Sequence, residues 1–305
     1  MVTVLCEVDF EVGSREEFGR RAVEWVVGGA RALAGNLLRR VSADGSVPKG
    51  RVTNGFLGPA GVEWGYVSIT RMQKSGLRQV GKVVEDAAIA WAEKEAVKGI
   101  EGMNLGFNLL ETSTIPGERL IRFEAEMVED ADGWCRVNFQ APESRLEDVA
   151  TQRAWLDFMH AFCDEVNPSY GQISYDYGAY PLTALEAVTG PPWTVYSEAI
   201  AASRQVLRGY DWLTVCADEL AESLGGIDVL RASGAFARVE PLRSGGVWLL
   251  ATEEYGDYTD PRVAAVWEAV APVLRHGTPS RDRAEREESP VRLVFRDAAE
   301  ISRSA

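Results

Sequence analysis

The alternation of hydrophobic and polar positions is clearest between residues 207 and 274, where each change of period coincides with turn residues. Residues 210–215 alternate and are rich in aromatic and β-branched side chains, which predicts a strand. A short helix is expected from Ala217. The glycines at 225–226 end it, because glycine adopts the left-handed conformation that a helix exit requires. A second short helix is predicted at residues 228–231.

The same region then predicts a hairpin and a final helix. Residues 237–242 and 247–252 form two extended runs, and the glycine-containing segment 243–246 between them favours a four-residue turn. Asp260 followed by Pro261 is typical of a helix start, with the aspartate as N-cap and the proline at the first helical position. The apolar face of this helix comprises Val263, Val266, Trp267, Val270 and Leu274.

The N-terminal region predicts a strand, a helix and another strand. Residues 2–10 alternate, and Ser14 with Glu17 forms a capping box, in which each side chain satisfies a free amide of the first helical turn. The helix is expected to end near Gly35, and residues 62–70 are predicted to form a strand covered on both faces.

A long amphipathic helix is expected next, closed by Gly99. Its apolar positions recur at three and four residues: Leu77, Val80, Val84, Ala87 and Trp91. Residues 103–111, 120–128 and 134–139 are then predicted to be strands.

A second capping box, Ser144 with Glu147, predicts a further helix that extends to about Val166. A tyrosine-rich strand or sheet edge is expected over residues 173–180. Two capping boxes that open long helices beside strands suggest a duplicated αβ unit.

These elements predict an α+β protein with mixed or antiparallel sheets and amphipathic helices packed on one face, for which two related αβ halves are one arrangement. We expect an N-terminal αβ region over residues 1–188 and a C-terminal αβ region over residues 197–275. The Gly-Pro-Pro segment within residues 189–196 is the expected linker. Residues 276–305 are interpreted as a polar tail, in which residues 291–295 could add a last strand, and one continuous domain remains the alternative.

The net charge indicates which partners are compatible with this chain. Its 305 residues, 46% of them hydrophobic, can supply a core without disulfides or metals. The formal charge is -14 and the sequence pI is about 4.8. Such a surface repels phosphate backbones and anionic headgroups, so we expect no nucleic acid and no membrane partner, and favour a basic protein. The alternative is that the acidity serves solubility alone.

The cysteines and the N-terminus favour the cytoplasm. The four cysteines are scattered without a CxxC pair and lie in apolar or periodic segments, as expected of core residues in a reducing compartment: Cys6, Cys135, Cys163 and Cys216. The start of the chain lacks the basic residues and apolar run of a signal peptide. No stretch approaches the roughly 18 apolar residues of a membrane span.

Few residues suit catalysis or metal binding. Only two histidines, His160 and His276, are present, and His160 lies three residues before Cys163 on a predicted helix. A single pair from one helix is weak evidence for a metal, so a histidine beside a core is the favoured interpretation. No GxSxG, P-loop, HExxH or dinucleotide-binding glycine pattern occurs, so we expect no cofactor and no metal. A glycosidase-like carboxylate pair remains open.

Two segments combine tyrosines with carboxylates, and we predict that they bind a partner. Tyrosine offers a large contact area at small entropic cost, and neighbouring carboxylates steer a cationic partner. The alternative is that the tyrosines border a sheet and the acids are solvated. The first segment contains Tyr175, Asp176, Tyr177 and Tyr180, and the second contains Glu253, Glu254, Tyr255, Asp257 and Tyr258.

The last third of the chain resembles the type VI immunity protein family. The resemblance rests on the Gly-x-x-Trp-Leu-Thr pattern at residues 209–214, the Leu-Gly-Gly junction at 224–226 with Leu230, and the Gly-Asp-Tyr loop at 256–258 before Pro261. Members of that family are bacterial cytoplasmic proteins thought to neutralise a toxic effector delivered by another cell. The resemblance implies a structural role for these residues and transfers no catalytic residue.

We therefore expect a non-enzymatic cytoplasmic immunity or binding protein that neutralises a basic toxin or other basic protein through an acidic, tyrosine-bearing surface. A carboxylate-dependent hydrolase and a structural subunit of a larger assembly are the alternatives.

Overall fold

A computed structural model describes residues 2–49, 56–176, 181–189, 195–281 and 292–302. The strands of these residues are β1 (Thr3–Glu11), β2 (Glu63–Gln73), β3 (Gly76–Val83), β4 (Gly102–Leu110), β5 (Pro116–Met127), β6 (Trp134–Pro142), β7 (Tyr170–Tyr175), β8 (Leu213–Cys216), β9 (Arg238–Pro241) and β10 (Val247–Leu250).

The same residues form helices α1 (Arg15–Val23), α2 (Gly29–Ala43), α3 (Asp86–Ala96), α4 (Val149–Cys163), α5 (Ala184–Thr189), α6 (Tyr196–Ala201), α7 (Asp218–Ser223), α8 (Ile227–Ala232), α9 (Asp260–Val270) and α10 (Ala299–Ser302). A π-helical turn, Glu24–Gly28, joins α1 to α2. The strands pair antiparallel and are accompanied by helices, which confirms the α+β prediction.

Contacts divide the chain into two compact units. The first unit comprises Met1–Glu11, Glu129–Trp134 and Glu143–Ala305, and the second comprises Val12–Val128 and Cys135–Pro142. Both flanks of the predicted linker belong to the first unit. Residues 190–194 of that linker lie outside the described residues.

The second unit is built on antiparallel strands in the order β3-β2-β4-β5-β6. Residues of α1, the π-helical turn and α2 contact β5 of this sheet. Trp25 of the π-helical turn lies 5.9 Å from Phe139, and Phe139 lies 5.6 Å from Phe123, between ring centroids. The Trp25 indole also donates to the main-chain oxygen of Asn138 at 2.8 Å, so its buried N–H is satisfied.

The first unit orders its strands β1-β7-β8-β10-β9. Helix α4 covers the face of β1 that carries Cys6 and Phe10. The Cys6 thiol donates to the Met159 sulfur at 3.2 Å, and the Phe10 and Phe162 rings pack edge to face at 5.7 Å. Alternate residues of β1, Glu7 and Asp9, point to the opposite face, where they are almost fully buried.

The first capping box is partly confirmed. The Ser14 hydroxyl accepts from the Glu17 amide at 3.1 Å, as predicted, while the Glu17 carboxylate accepts from the Gly13 amide at 2.8 Å rather than from Ser14. The second capping box is wrong, because Ser144 and Glu147 fall in the 3-10 turn Glu143–Glu147. The cap of α4 is Asp148, whose side chain accepts from two amides of the first turn.

The predicted helix from Leu77 is wrong over its first half. Residues Gly76–Val83 form β3, which pairs antiparallel with β2, and the helix spans Asp86–Ala96 only. The three- and four-residue spacing of Leu77, Val80 and Val84 imitated a helix. Gly76 instead has φ of 107° in a tight turn that returns the chain alongside β2.

Most elements of the C-terminal region are confirmed, with shifted ends. The strand is shorter than predicted and spans Leu213–Cys216, while β9 and β10 form the predicted hairpin around Gly245 and Gly246, both with positive φ. Helix α9 begins at Asp260, so Thr259 and not Asp260 is its cap. Residues 292–295 form no strand, and Val291 lies outside the described residues.

Candidate functional site

The first tyrosine-bearing segment lies at the end of β7 in the first unit. Tyr175 is its last residue and is only 3% exposed. Asp176 follows half-buried, and its amide donates to the Thr3 oxygen at 2.8 Å. Tyr177 and Tyr180 lie outside the described residues.

The second segment follows β10 and separates its tyrosines from its acids. Glu253, Glu254 and Asp257 are exposed, whereas Tyr255 is 4% and Tyr258 0% exposed. The expectation that the tyrosines form an exposed surface is therefore wrong for Tyr175, Tyr255 and Tyr258. The 3-10 turn Tyr255–Asp257 buries Tyr255, and the Tyr175 ring packs against it. The partner-binding role of both segments stays a prediction.

The buried tyrosines of the two segments meet around one cation. The guanidinium carbon of Arg292 lies 4.6 Å from the Tyr175 ring centroid, 4.5 Å from that of Tyr255 and 5.5 Å from that of Tyr258. These distances are within the range of cation–π attraction. We call the three tyrosines the tyrosine cage. Arg292 is partly exposed as a residue, but its Nη1 nitrogen is fully buried, so the cation lies among the rings.

Further contacts fix the orientation of the cage walls. The Tyr175 and Tyr255 rings meet edge to face at 5.8 Å, and the Trp212 ring meets Tyr255 at 5.3 Å. The Tyr175 hydroxyl donates to the Glu143 carboxylate. The Gln152 side-chain oxygen accepts from the Tyr255 amide at 3.0 Å, which holds the 3-10 turn against α4. These contacts hold the cage within the first unit.

Asp211 adds a buried carboxyl to this neighbourhood. It is 4% exposed and its oxygen accepts from the Trp212 amide at 2.7 Å. Burial raises the pKa of Asp211 to about 7, against the opposing charge of Arg292. Burial also raises the pKa of Tyr175 to about 12, and burial with the Asp211 charge raises that of Tyr255 further. Tyr175 and Tyr255 are therefore neutral near pH 7, while Asp211 titrates there.

A second group of charges is buried in the first unit around Arg208. Its guanidinium donates to Asp9 at 2.5 Å and, through two nitrogens, to Glu186 at 2.8 and 2.6 Å. Their side chains are 1%, 0% and 5% exposed, respectively. The Thr183 amide donates to the same Glu186 carboxylate at 2.8 Å. We call Arg208, Asp9 and Glu186 the Arg208 cluster.

A cavity of about 40 Å³ adjoins this cluster and is lined by Glu186, Arg208, Arg275 and apolar side chains of α5, α6 and the residues that follow α6. It has room for water and is too small for a substrate of several heavy atoms. Paired buried charges of this kind hold elements in register, because separating them strands a charge in the core. We therefore assign the Arg208 cluster to the scaffold, where it ties β1 to α5.

His160 is located as a core-bordering residue. Its ring packs edge to face on Trp248 at 5.0 Å, and its nitrogens lie 3.6 Å from Asp164 and 3.4 Å from Glu240. The neighbouring Cys163 thiol is buried, which raises its pKa. Within the part of the chain that the structure describes, no three His, Cys, Asp and Glu side chains are grouped to hold a metal.

Sequence reasoning missed Arg292, Asp211 and the Arg208 cluster. The tail is polar, so an arginine within it carries no signal of its own, and Asp211 lies beside Trp212 in a predicted strand. The alternation of Glu7 and Asp9 with apolar residues of β1 offered one usable signal, because acids inside a strand with two covered faces need a buried partner.

The fold has a counterpart among solved structures. A Pseudomonas aeruginosa T6SS (type VI secretion system) protein, PA0821, aligns with 99% of this chain and 84% of its own, at a TM-score of 0.50 and 13% sequence identity. The likeness is one of fold. No protein-family description and no curated protein matches the sequence. None of the described helices is long and apolar enough to cross a membrane.

Proposed function

We propose that this chain is a non-catalytic immunity protein associated with type VI secretion, which binds a basic toxin and blocks it. The observation that carries the proposal is the arrangement at residues 253–258, where exposed Glu253, Glu254 and Asp257 alternate with buried cage tyrosines. A rigid aromatic base with carboxylates directed outward suits the capture of a cationic protein surface. The formal charge of -14 adds long-range attraction for such a partner.

The structural counterpart supports the same proposal at a coarser level. The aligned Pseudomonas aeruginosa protein is described as a T6SS protein, and the alignment extends over 99% of this chain. The family resemblance of residues 209–231 agrees with that setting.

The proposal is tested by protection of growing cells. The chain is co-expressed with the product of the adjacent gene, and growth is compared between the wild type and the triple variant Glu253→Gln, Glu254→Gln, Asp257→Asn. We expect the wild type to restore growth and the triple variant to protect weakly, since the loss of each of these exposed charges slows association with the basic toxin.

The control variant removes the same charge elsewhere in the first unit. Glu222→Gln, Asp228→Asn and Glu268→Gln replace three exposed acids, so both variants change the formal charge from -14 to -11 by adding three to it. Equal protection by the two variants would show that the position of the acids is irrelevant. Failure of the wild type to protect against, or to bind, the neighbouring product would contradict the proposal itself.

A carboxylate-dependent hydrolase is the second candidate, favoured by one observation. Asp211 is buried beside Tyr255 and its pKa is raised to about 7, as in many catalytic acids. Its 4% exposure leaves no access for a substrate in this conformation. An Asp211→Asn variant that still protects cells fully would exclude a catalytic role for this carboxyl, whereas loss of protection with intact partner binding would favour the hydrolase.

A further inference from the structure

The tyrosine cage has the construction of a cation receptor. Three rings surround one guanidinium within 5.5 Å, and their own exposures are 0 to 4%. Donation of the Tyr175 hydroxyl to the Glu143 carboxylate increases electron density in that ring and so strengthens its attraction for a cation. The Arg292 guanidinium opposes the rise that burial causes in the pKa of the Asp211 carboxyl. With Arg292 removed, the attraction of the site for a cation therefore rests on the three rings.

The cation that fills the cage comes from the C-terminal segment of the same chain. Residues 292–302 contact the rest of the first unit at several points: the Val294 amide donates to the Tyr210 hydroxyl at 2.8 Å, the Asp297 carboxylate accepts from the Gly277 amide at 2.9 Å, and Ala298 is 2% exposed. Arg296 lies over the Trp267 ring at 4.9 Å. The described strand pairs of the unit include no residue of 292–302, so displacement of this segment would break none of them.

We propose that the tyrosine cage is a receptor for an arginine side chain of the basic partner, and that Arg292 occupies this receptor in the free protein. This inference rests on the proposed function. Arginine suits the cage better than lysine, because a planar guanidinium stacks on aromatic faces and remains charged at any physiological pH. The exposed acids Glu253, Glu254 and Asp257 belong to the same short segment as two cage walls, so they would guide an arginine-bearing surface toward it.

Binding of a free arginine derivative tests the receptor without any partner. Arginine amide is titrated into the wild type and into Arg292→Ala, with tyrosine fluorescence and calorimetry as readouts. Because a tethered occupant lowers the apparent affinity of a competitor, we expect Arg292→Ala to bind at least about ten-fold more tightly than the wild type. Citrulline amide, which has a side chain of the same shape without the guanidinium charge, should bind neither protein.

Arg296→Ala is the matched control. This substitution removes another guanidinium of the same segment, which also lies over an aromatic ring. The Arg296 side chain, however, is 52% exposed and is paired with Glu300 at 3.1 Å. This variant should bind arginine amide no better than the wild type. Equal binding by Arg292→Ala and the wild type, or equal binding of citrulline amide, would overturn the proposal.

Folding is checked by circular dichroism, and Arg292→Gln serves as a second variant that retains side-chain length. If neither variant folds, the guanidinium is part of the core and not an exchangeable ligand, which also overturns the proposal.

The partner experiment is separate. A folded Arg292→Ala that binds arginine amide while the neighbouring product never binds would preserve the receptor and refute the proposed function. If the neighbouring product binds while arginine amide binds Arg292→Ala no better than the wild type, the proposed function is preserved and the receptor is refuted.

Discussion

Replacement of Arg208 by alanine should destabilise the first unit far more than loss of any surface ion pair. The substitution removes three charge-assisted hydrogen bonds, one to Asp9 at 2.5 Å and two to Glu186 at 2.8 and 2.6 Å. It leaves two carboxylates whose side chains are 0% and 5% exposed without their main counter-charge. Breaking a buried pair from one side costs about 3–5 kcal/mol of unfolding free energy.

The assay is urea denaturation followed by tryptophan fluorescence. With a denaturant slope of about 2–3 kcal/mol per M, the loss corresponds to a fall of about 1.5 M in the midpoint of the first unit's transition. Arg208→Lys should fall between the variant and the wild type, because lysine keeps the charge but cannot form the two-nitrogen contact with Glu186.

The control is Arg243→Ala, which removes exposed pairs of the same unit, with Asp164 at 3.1 Å and Glu165 at 3.0 Å, in which the arginine side chain is 72% exposed. Its cost should stay below about 1 kcal/mol. If Arg208→Ala and Arg243→Ala lower the midpoint equally, the Arg208 cluster is solvated and its assignment as a buried scaffold element is wrong.

Two further predictions concern pH and packing. The pKa of Asp211 is raised from 3.8 to about 7, so the protonated carboxyl stabilises the fold fully below pH 4 and this contribution is lost as pH rises through 7. Asp211→Asn should therefore make the urea midpoint less dependent on pH between pH 4 and 7. The same pH dependence in the variant and the wild type would contradict this. Gly19→Ala should destabilise the second unit, because the added carbon would lie 2.0 Å from the Ala96 oxygen. The added carbon of Gly35→Ala meets no atom within 4 Å, so this variant should stabilise α2 by about 0.5–1 kcal/mol. Comparable melting temperatures for the two variants would refute the packing argument.

Local patterns predicted those elements whose signals are local. The hairpin of β9 and β10 followed from two extended runs and a pair of glycines that do adopt positive φ. The start of α1 at Ser14 followed from its capping residue. These features depend on neighbours in sequence, so a single chain is sufficient to predict them.

The errors arose where pairing between distant residues decided the structure. Residues 77–84 have helical spacing, yet pairing with β2 and a turn at Gly76 make most of them a strand. Tyr175 and Tyr255 were expected at the surface, but residues 80 positions apart pack against each other and against Arg292. The identity of the cation in the cage depends on a contact between the tail and β7, which no periodicity encodes.

The most direct test of the account is the salt dependence of association with the product of the adjacent gene. Stopped-flow association rates are measured at about 0.05 M and 0.5 M sodium chloride, where the screening length falls from about 14 Å to about 4 Å. The account predicts a complex whose association rate decreases by on the order of ten-fold or more at high salt. Absence of a complex at both concentrations, or a rate independent of salt, would contradict it.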